Sequence, residues 1–197
     1  MTVNKPKDER IAEIIDAAVI EFAEKGFEYA SMESIARRAK LSKGGVYHHF
    51  QSKDEILLLA NKKVSEPARL ILDEIRDTRS PSEKLRTYIT RYLNYWSTHS
   101  KELVFNYLSI SKSLANPQFF APFEEYASGT INALETIYRD GVKNNEFRQH
   151  DSKARSLALC VALDGVTMYL NTSKRLKLED IINNFLQVFV KDLLKEN

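Results

Sequence analysis

The chain has 197 residues, of which 43% are hydrophobic, and a formal net charge of +2 from 29 Lys and Arg against 27 Asp and Glu. That is enough for one or two compact domains with a sizeable core, and the near balance of charge excludes a nonspecific polycation. A single cysteine, Cys160, excludes an intrachain disulfide and fits a reducing cytoplasm, and no run of about 18 apolar residues exists to span a membrane.

Six Gly, five Pro and no strand-like alternation make the expected class all-α. The opening MTVNKPKDER is polar, without the apolar core of a signal peptide, and its Lys5, Lys7 and Arg10 form a short basic arm. A first helix is expected from about Lys7 to Lys25, with Ile11, Ile14, Ile15, Ala18, Val19 and Phe22 as its apolar stripe and Gly26 just past its end. Ser31 is the expected N-cap of a short second helix, in which Ile35, Ala36 and Ala39 face inward. Lys40-Leu41 makes a turn with Leu41 as its apolar plug, and Ser42 caps a third helix that opens with Lys43, Gly44 and Gly45.

Each helical glycine costs roughly 1 kcal/mol against Ala. A helix gains from them where its backbone must come close to something, such as the edges of bases. Val46 and Phe50, four apart, should lock this helix to the core, leaving Tyr47, His48 and His49 on the outer face. Ser52 and Glu55 read as a capping box that opens a fourth helix, with Lys53 in its first turn. That helix should continue to about Asp77, with a kink or break near residues 63–67 caused by Pro67.

Two short helices joined by a tight turn form a helix-turn-helix, which places a helix in the major groove of DNA. Charge agrees: no Asp or Glu lies between Ser34 and Lys53, while Arg37, Arg38, Lys40, Lys43 and Lys53 are all present. The competing reading is a helical hairpin with a solvated basic face. No metal site is expected, because adjacent histidines on a helix diverge and no Cys or carboxylate stands nearby at ligand spacing.

Over roughly residues 8 to 60 the sequence resembles the DNA-binding domain of the tetracycline-repressor (TetR) family of bacterial and archaeal regulators. The resemblance rests on Phe22, Gly26-Phe27, Ser31, Ile35-Ala36, Ser42-Lys43-Gly44, Tyr47, His49-Phe50 and Lys53. It implies that Lys43, Gly44 and Gly45 approach base edges and that Tyr47, His48, His49 and Lys53 hold phosphates. With Ser31 and Ser42 at the helix starts, these make up the expected DNA-binding set. Gly45 departs from the family pattern, which often has a base-reading side chain there, and this implies weak or water-mediated readout at that point.

Further along, Ser80-Pro81-Ser82-Glu83 supplies N-cap, Pro at N1 and Glu at N3 for a helix to about Thr98. A helix near Lys101 to Leu114 follows, and Asn116-Pro117 opens a segment with Pro122 early in it. The long helix after it should end at Gly141 to Asn145. Asp151 should cap an eighth helix to about Ser173, and a ninth should run from Leu178 to Leu194. The expected division is a DNA-binding domain over 1–64 and an effector-binding and dimerisation domain over 65–197, with the boundary inside the fourth helix.

Tyr88, Tyr92, Trp96, Phe105, Phe123, Tyr126 and Met168 either fill the core or line an effector pocket, as the TetR resemblance implies for this half. Asp164 sits among Leu157, Cys160, Val161, Leu163 and Val166 and needs a partner. It could take a polar group of an effector, pair across a dimer or mark an exposed helix edge. The eighth and ninth helices are apolar over wide faces, the last through Ile181, Ile182, Phe185, Leu186, Phe189, Val190, Leu193 and Leu194. In the resembling family such helices pack with their mates as a four-helix bundle.

The expected function is a cytoplasmic, homodimeric, ligand-responsive transcription regulator. It is read as a repressor released from a palindromic double-stranded operator by a small apolar or amphipathic effector. Fatty acyl chains, aromatic compounds and cationic drugs are the effector classes considered. The alternatives are a DNA-binding regulator without small-molecule response and a protein–protein interaction module. An enzyme is not expected, because no nucleophile elbow, P-loop or dinucleotide fingerprint is present, and no cofactor is expected.

Overall fold

The computed structural model describes residues 6–76, 80–116 and 120–195, and for 120–123 and 126 the backbone alone. Among the described residues there are nine α-helices: α1 (Lys7–Lys25), α2 (Met32–Arg38), α3 (Lys43–Tyr47), α4 (Lys53–Glu74), α5 (Pro81–Thr98), α6 (Ser100–Ala115), α7 (Phe120–Lys143), α8 (Ser152–Thr172) and α9 (Leu178–Phe189). A 3-10 turn, Lys191–Leu193, follows α9, and the β pairing is an isolated bridge between Phe147 and Leu194. The chain divides into two compact units, Met1–Ser65 with Lys101–Phe123 and Glu66–Ser100 with Glu124–Asn197.

In the first unit the apolar stripe of α1 meets the short helices after it. Ile14, Ala18, Phe22, Ile35, Val46, Phe50, Ile56 and Ala60 are buried together with Phe105 of α6, and the Phe22 and Phe105 rings stack 6.1 Å apart. Gly26 takes φ +78°, a left-handed value open to glycine, and its amide closes α1 on the Phe22 carbonyl at 2.8 Å. At the end of α2, Lys40 takes φ 57°, its amide reaching the Arg37 carbonyl and that of Leu41 the Ala36 carbonyl. This is a Schellman turn with Leu41 as its apolar residue, so the expected plug has a defined geometry.

In the second unit α5 packs against α8 and α9. Leu85, Ile89 and Leu93 meet a core that includes Leu134, Tyr138, Leu159, Leu163, Val190 and Leu193. Asn145, at φ 60°, closes α7 with a second Schellman turn, in which the Glu146 amide reaches the Gly141 carbonyl at 2.9 Å. A methyl group on Gly141 would lie 2.1 Å from the Phe147 ring, so that glycine is required by close packing.

Four expectations are corrected. Of the kink or break expected at Pro67, the break does not occur: α4 runs unbroken from Lys53 to Glu74. Proline removes one amide donor, while Val64, Ala68, Ile71 and Ile75, buried along one side, hold the turns before and after it. Ser80 does not cap α5 with its own side chain. Instead Glu146 accepts from the Ser80 hydroxyl at 2.6 Å and the Ser82 amide at 3.1 Å. In the box that opens α4, the Ser52 hydroxyl takes the Glu55 amide, but the Glu55 carboxylate takes the Gln51 amide one residue earlier than expected. α9 ends at Phe189, not Leu194, because Val190 leaves the helical region at φ −129° and the chain turns to bury Leu193 and pair with Phe147.

Candidate nucleic-acid interface and the polar cluster on α5

The short helices carry their own caps. The Ser31 hydroxyl accepts from the Ser34 amide at 3.1 Å, and the Ser34 hydroxyl accepts in turn from the Ser31 amide at 3.0 Å. The Ser42 hydroxyl accepts from the Gly45 amide at 3.1 Å. Each cap takes one orphan amide, leaving the others of α3 for an anion. Ser31, Ser42, Lys43, Gly44, Tyr47 and His48 are exposed, while Val46 and Phe50 are buried and fix the helix from behind. The two glycines differ. A Cβ on Gly44 would meet nothing within 4 Å, whereas one on Gly45 would lie 3.3 Å from the Ser42 hydroxyl. Gly45 therefore protects the cap, and Gly44 leaves the outer face bare.

His49 is half-buried, and among the described residues its Nδ1 is buried without a hydrogen-bond partner. Burial, followed by the charges of His48, Lys7 and Arg10, lowers its pKa, so the ring is a neutral imidazole near pH 7. Lys7 and Arg10 thus belong to the same neighbourhood as the recognition helix. Lys53 is placed differently from the rest of the expected set. Its ammonium donates to the carbonyls of Phe27 (2.6 Å), Ala30 (2.9 Å) and Glu28 (3.3 Å).

In the second unit, Tyr88, Tyr92 and Trp96 follow one another along one side of α5, the first pair of rings tilted and the second edge-on, with successive separations of 5.7 and 6.2 Å. All three are buried. The Tyr92 hydroxyl donates to the Asp164 carboxylate at 2.7 Å, and Asn171 donates to the Trp96 carbonyl at 3.1 Å. Among the described residues the Trp96 indole N–H is buried without a partner. Asp164 keeps accessible surface, yet desolvation by its neighbours raises its pKa against the pull of Tyr92. Its accessible surface fits the exposed helix edge that the sequence left open, with Tyr92 as its hydrogen-bond partner. Met168, one turn on, is exposed. Phe105 is not part of this group, since it stacks on Phe22 in the first unit. The side chains of Phe123 and Tyr126 lie outside the described residues.

Residues 14–60 match the model for bacterial regulatory proteins of the tetR family, and residues 100–195 match that for the C-terminal region of QacR-like proteins. The HTH-type transcriptional repressor KstR2 of Rhodococcus jostii is 30% identical over 72% of this chain and 70% of its own length. The chain belongs to the TetR family. It is therefore a DNA-binding transcription regulator of a non-enzymatic family. The fatty acid metabolism regulator protein of Bacillus subtilis is 24% identical over 96% of this chain and 98% of its own. The crystal structure of FadR from Bacillus subtilis in complex with stearoyl-CoA shares the fold, with TM-score 0.74 and 23% identity over 92% of this chain and 98% of that one. No helix among the described residues is long and apolar enough to cross a membrane.

Within the head of this TetR-family protein, part of the basic cluster serves the fold. Arg38 bridges Glu21 at 2.7 Å and Glu24 at 2.5 Å, and Lys101 at the start of α6 also pairs with Glu24 at 2.8 Å. Glu21 is 2% exposed. Burial would raise its pKa, but hydrogen bonds from Lys25, Arg38 and Ser34 and the Lys25 charge outweigh this and hold it at about 2. Sequence reading missed Glu21 because an acid inside the α1 stripe announces no partner; Arg38, 17 residues on, is brought to it only by the α1–α2 crossing. The approach of Lys7 and Arg10 to His49 was equally hidden, although the basic arm itself was visible.

Proposed function

We propose that this chain is a homodimeric repressor, acting in the cytoplasm, that leaves a palindromic operator when a small apolar or amphipathic effector binds. Residues 1–64 act as the reading head, and 65–197 supply effector binding and dimerisation. One observation carries the DNA reading above the others. The start of α3 is exposed, has no acidic residue near it in sequence, and at Gly44 has no side chain and nothing around it. Ser31, Ser42, Lys43, Gly44, Gly45, Tyr47, His48 and His49 would face the duplex, with the α3 backbone near base edges and the flanking polar tips on phosphates.

A single small head reads few base pairs, and a twofold pair multiplies specificity. α8 leaves Leu157, Val161 and Tyr169 exposed, and α9 leaves Val188, which supports a second copy docking there. Tyr88, Tyr92, Trp96, Asp164 and Met168 would contact the effector, with Asp164, Tyr92 and the unpaired Trp96 N–H at its polar end. Two of the compared proteins bear fatty-acid names or hold stearoyl-CoA, which favours a fatty acyl effector over aromatic or cationic ones. An effector preferring the released arrangement by about 3 kcal/mol would weaken operator binding roughly a hundredfold.

The test is selection of operators from random duplexes with purified protein at about 0.15 M salt, an ionic strength at which weak surface attraction is screened. A palindromic consensus is expected, followed by its release with long-chain acyl-CoA. No enrichment would sink the DNA reading, and release by none of the three effector classes would sink the inducible one.

A further inference from the structure

We propose that Lys53 and Lys112 are positioning residues that set the reading head through the turn at Phe27, and that Lys53 does so without touching DNA. This rests on the DNA-binding reading above. A lysine ammonium has three protons to give. That of Lys53 meets three carbonyls of a single turn, those of Phe27, Glu28 and Ala30, at 2.6, 3.3 and 2.9 Å. It also stands 4.5 Å from the centre of the Phe27 ring. No proton remains for a phosphate, and moving to one would give up all three bonds, two of them part-buried.

The same ring holds a second cation. Lys112 near the end of α6 lies 3.7 Å from the Phe27 centroid and 3.5 Å from the Glu28 carboxylate. The α1–α2 turn is thus gripped by the start of α4 and the end of α6. α6 meets the head along its length, through Lys101 on Glu24, Phe105 on Phe22 and the Ser109 hydroxyl on the Asn61 side chain. Lys112 is the last of these contacts, and it bears on the turn that leads into Ser31 and α2. The α2 helix in turn sets the angle of α3. Loosening the turn should tilt α3 without removing any charge that faces the duplex.

The two roles for Lys53 separate in one experiment. A phosphate contact contributes about 0.9 to the slope of log affinity against log salt, hence roughly 1.8 for two heads. Operator affinity is measured from about 0.05 to 0.2 M salt for the wild type and for Lys53→Met, Lys53→Arg and Lys112→Met, using the selected duplex. Arginine keeps the charge and binds phosphate well, but its planar fork cannot give three protons to three carbonyls around one point. Positioning requires that all three variants bind about tenfold or more weakly with the wild-type slope. Wild-type binding by Lys53→Arg, a slope reduced by nearly 2 in Lys53→Met, or unchanged affinity in Lys112→Met would overturn the proposal.

Amide exchange of Ala30 in the free protein provides an arm independent of DNA, since that amide closes the turn on the Gly26 carbonyl at 3.2 Å. Faster exchange in Lys53→Met and Lys112→Met is expected, and unchanged exchange overturns the clamp. If the wild type bound no duplex, the DNA reading would fail while this arm still decided whether the two lysines hold the turn.

Discussion

Replacing Glu21 by Gln should cost the head most of the stability held in its ion cluster, and the loss should disappear in acid. Glu21 is 2% exposed and is held at about 2 against an ordinary value of 4.5. At about 1.36 kcal/mol per pKa unit, that gap corresponds to roughly 3 kcal/mol favouring the folded state at neutral pH. The folded pKa lies below the unfolded one. The contribution is therefore complete above about 4.5 and is lost as pH falls toward about 2. Glutamine keeps the shape but faces Arg38 and Lys25 with a neutral amide, so Glu21→Gln should be less stable by about 2–3 kcal/mol at pH 7. The gap should shrink to roughly 1–1.5 kcal/mol at pH 3 and close only near pH 2. Urea unfolding followed by far-ultraviolet circular dichroism at pH 7, 5, 4 and 3 measures the gap. The lone tryptophan, Trp96, belongs to the other unit, so amide exchange at Ile35 and Ala36 should accompany it as a probe of the head. A gap that stayed constant with pH, widened in acid or was absent at pH 7 would refute the argument.

Tyr47→Ala should weaken binding to every duplex alike while leaving the salt slope near that of the wild type, because a neutral phenol holds a phosphate by hydrogen bonding without neutralising it; unchanged affinity would remove Tyr47 from the interface. Gly44→Leu should leave the fold intact by circular dichroism, since the position is open, and gain up to about 1 kcal/mol of helix propensity. It should nevertheless abolish operator binding, and normal binding would disprove the docking of α3. Gly141→Ala should lower stability by about 1–3 kcal/mol, because its methyl would run into the Phe147 ring, and a melting temperature equal to wild type would show that the ring yields freely.

Much of the fold was legible because it depends on neighbours in the chain. Ser31, Ser42 and Asp151 cap the helices expected of them, since a cap reaches an amide only two or three residues away. Gly26 ends α1, and Val46 and Phe50 point inward for the same local reason. Ser80-Pro81-Ser82-Glu83 misled because its local chemistry was sound, yet Glu146 reaches the same groups from 64 residues away. The ninth helix was overextended because Val190, Leu193 and Leu194 continue an apolar stripe whether the backbone is helical or turns back to pair with Phe147.

By itself the sequence determined the all-α class, the two short capped helices with their tight turn, and the bare glycine at the start of the second. Each of these follows from hydrogen bonds and steric limits that span a few residues. Tertiary structure decided which charges remain for a partner. Arg38 and Lys53 look alike as basic residues in a sequence, but one neutralises the buried Glu21 and the other holds three carbonyls of the Phe27 turn. A charge declares its sign in the sequence. The group it meets depends on distances that exist only after distant segments have packed.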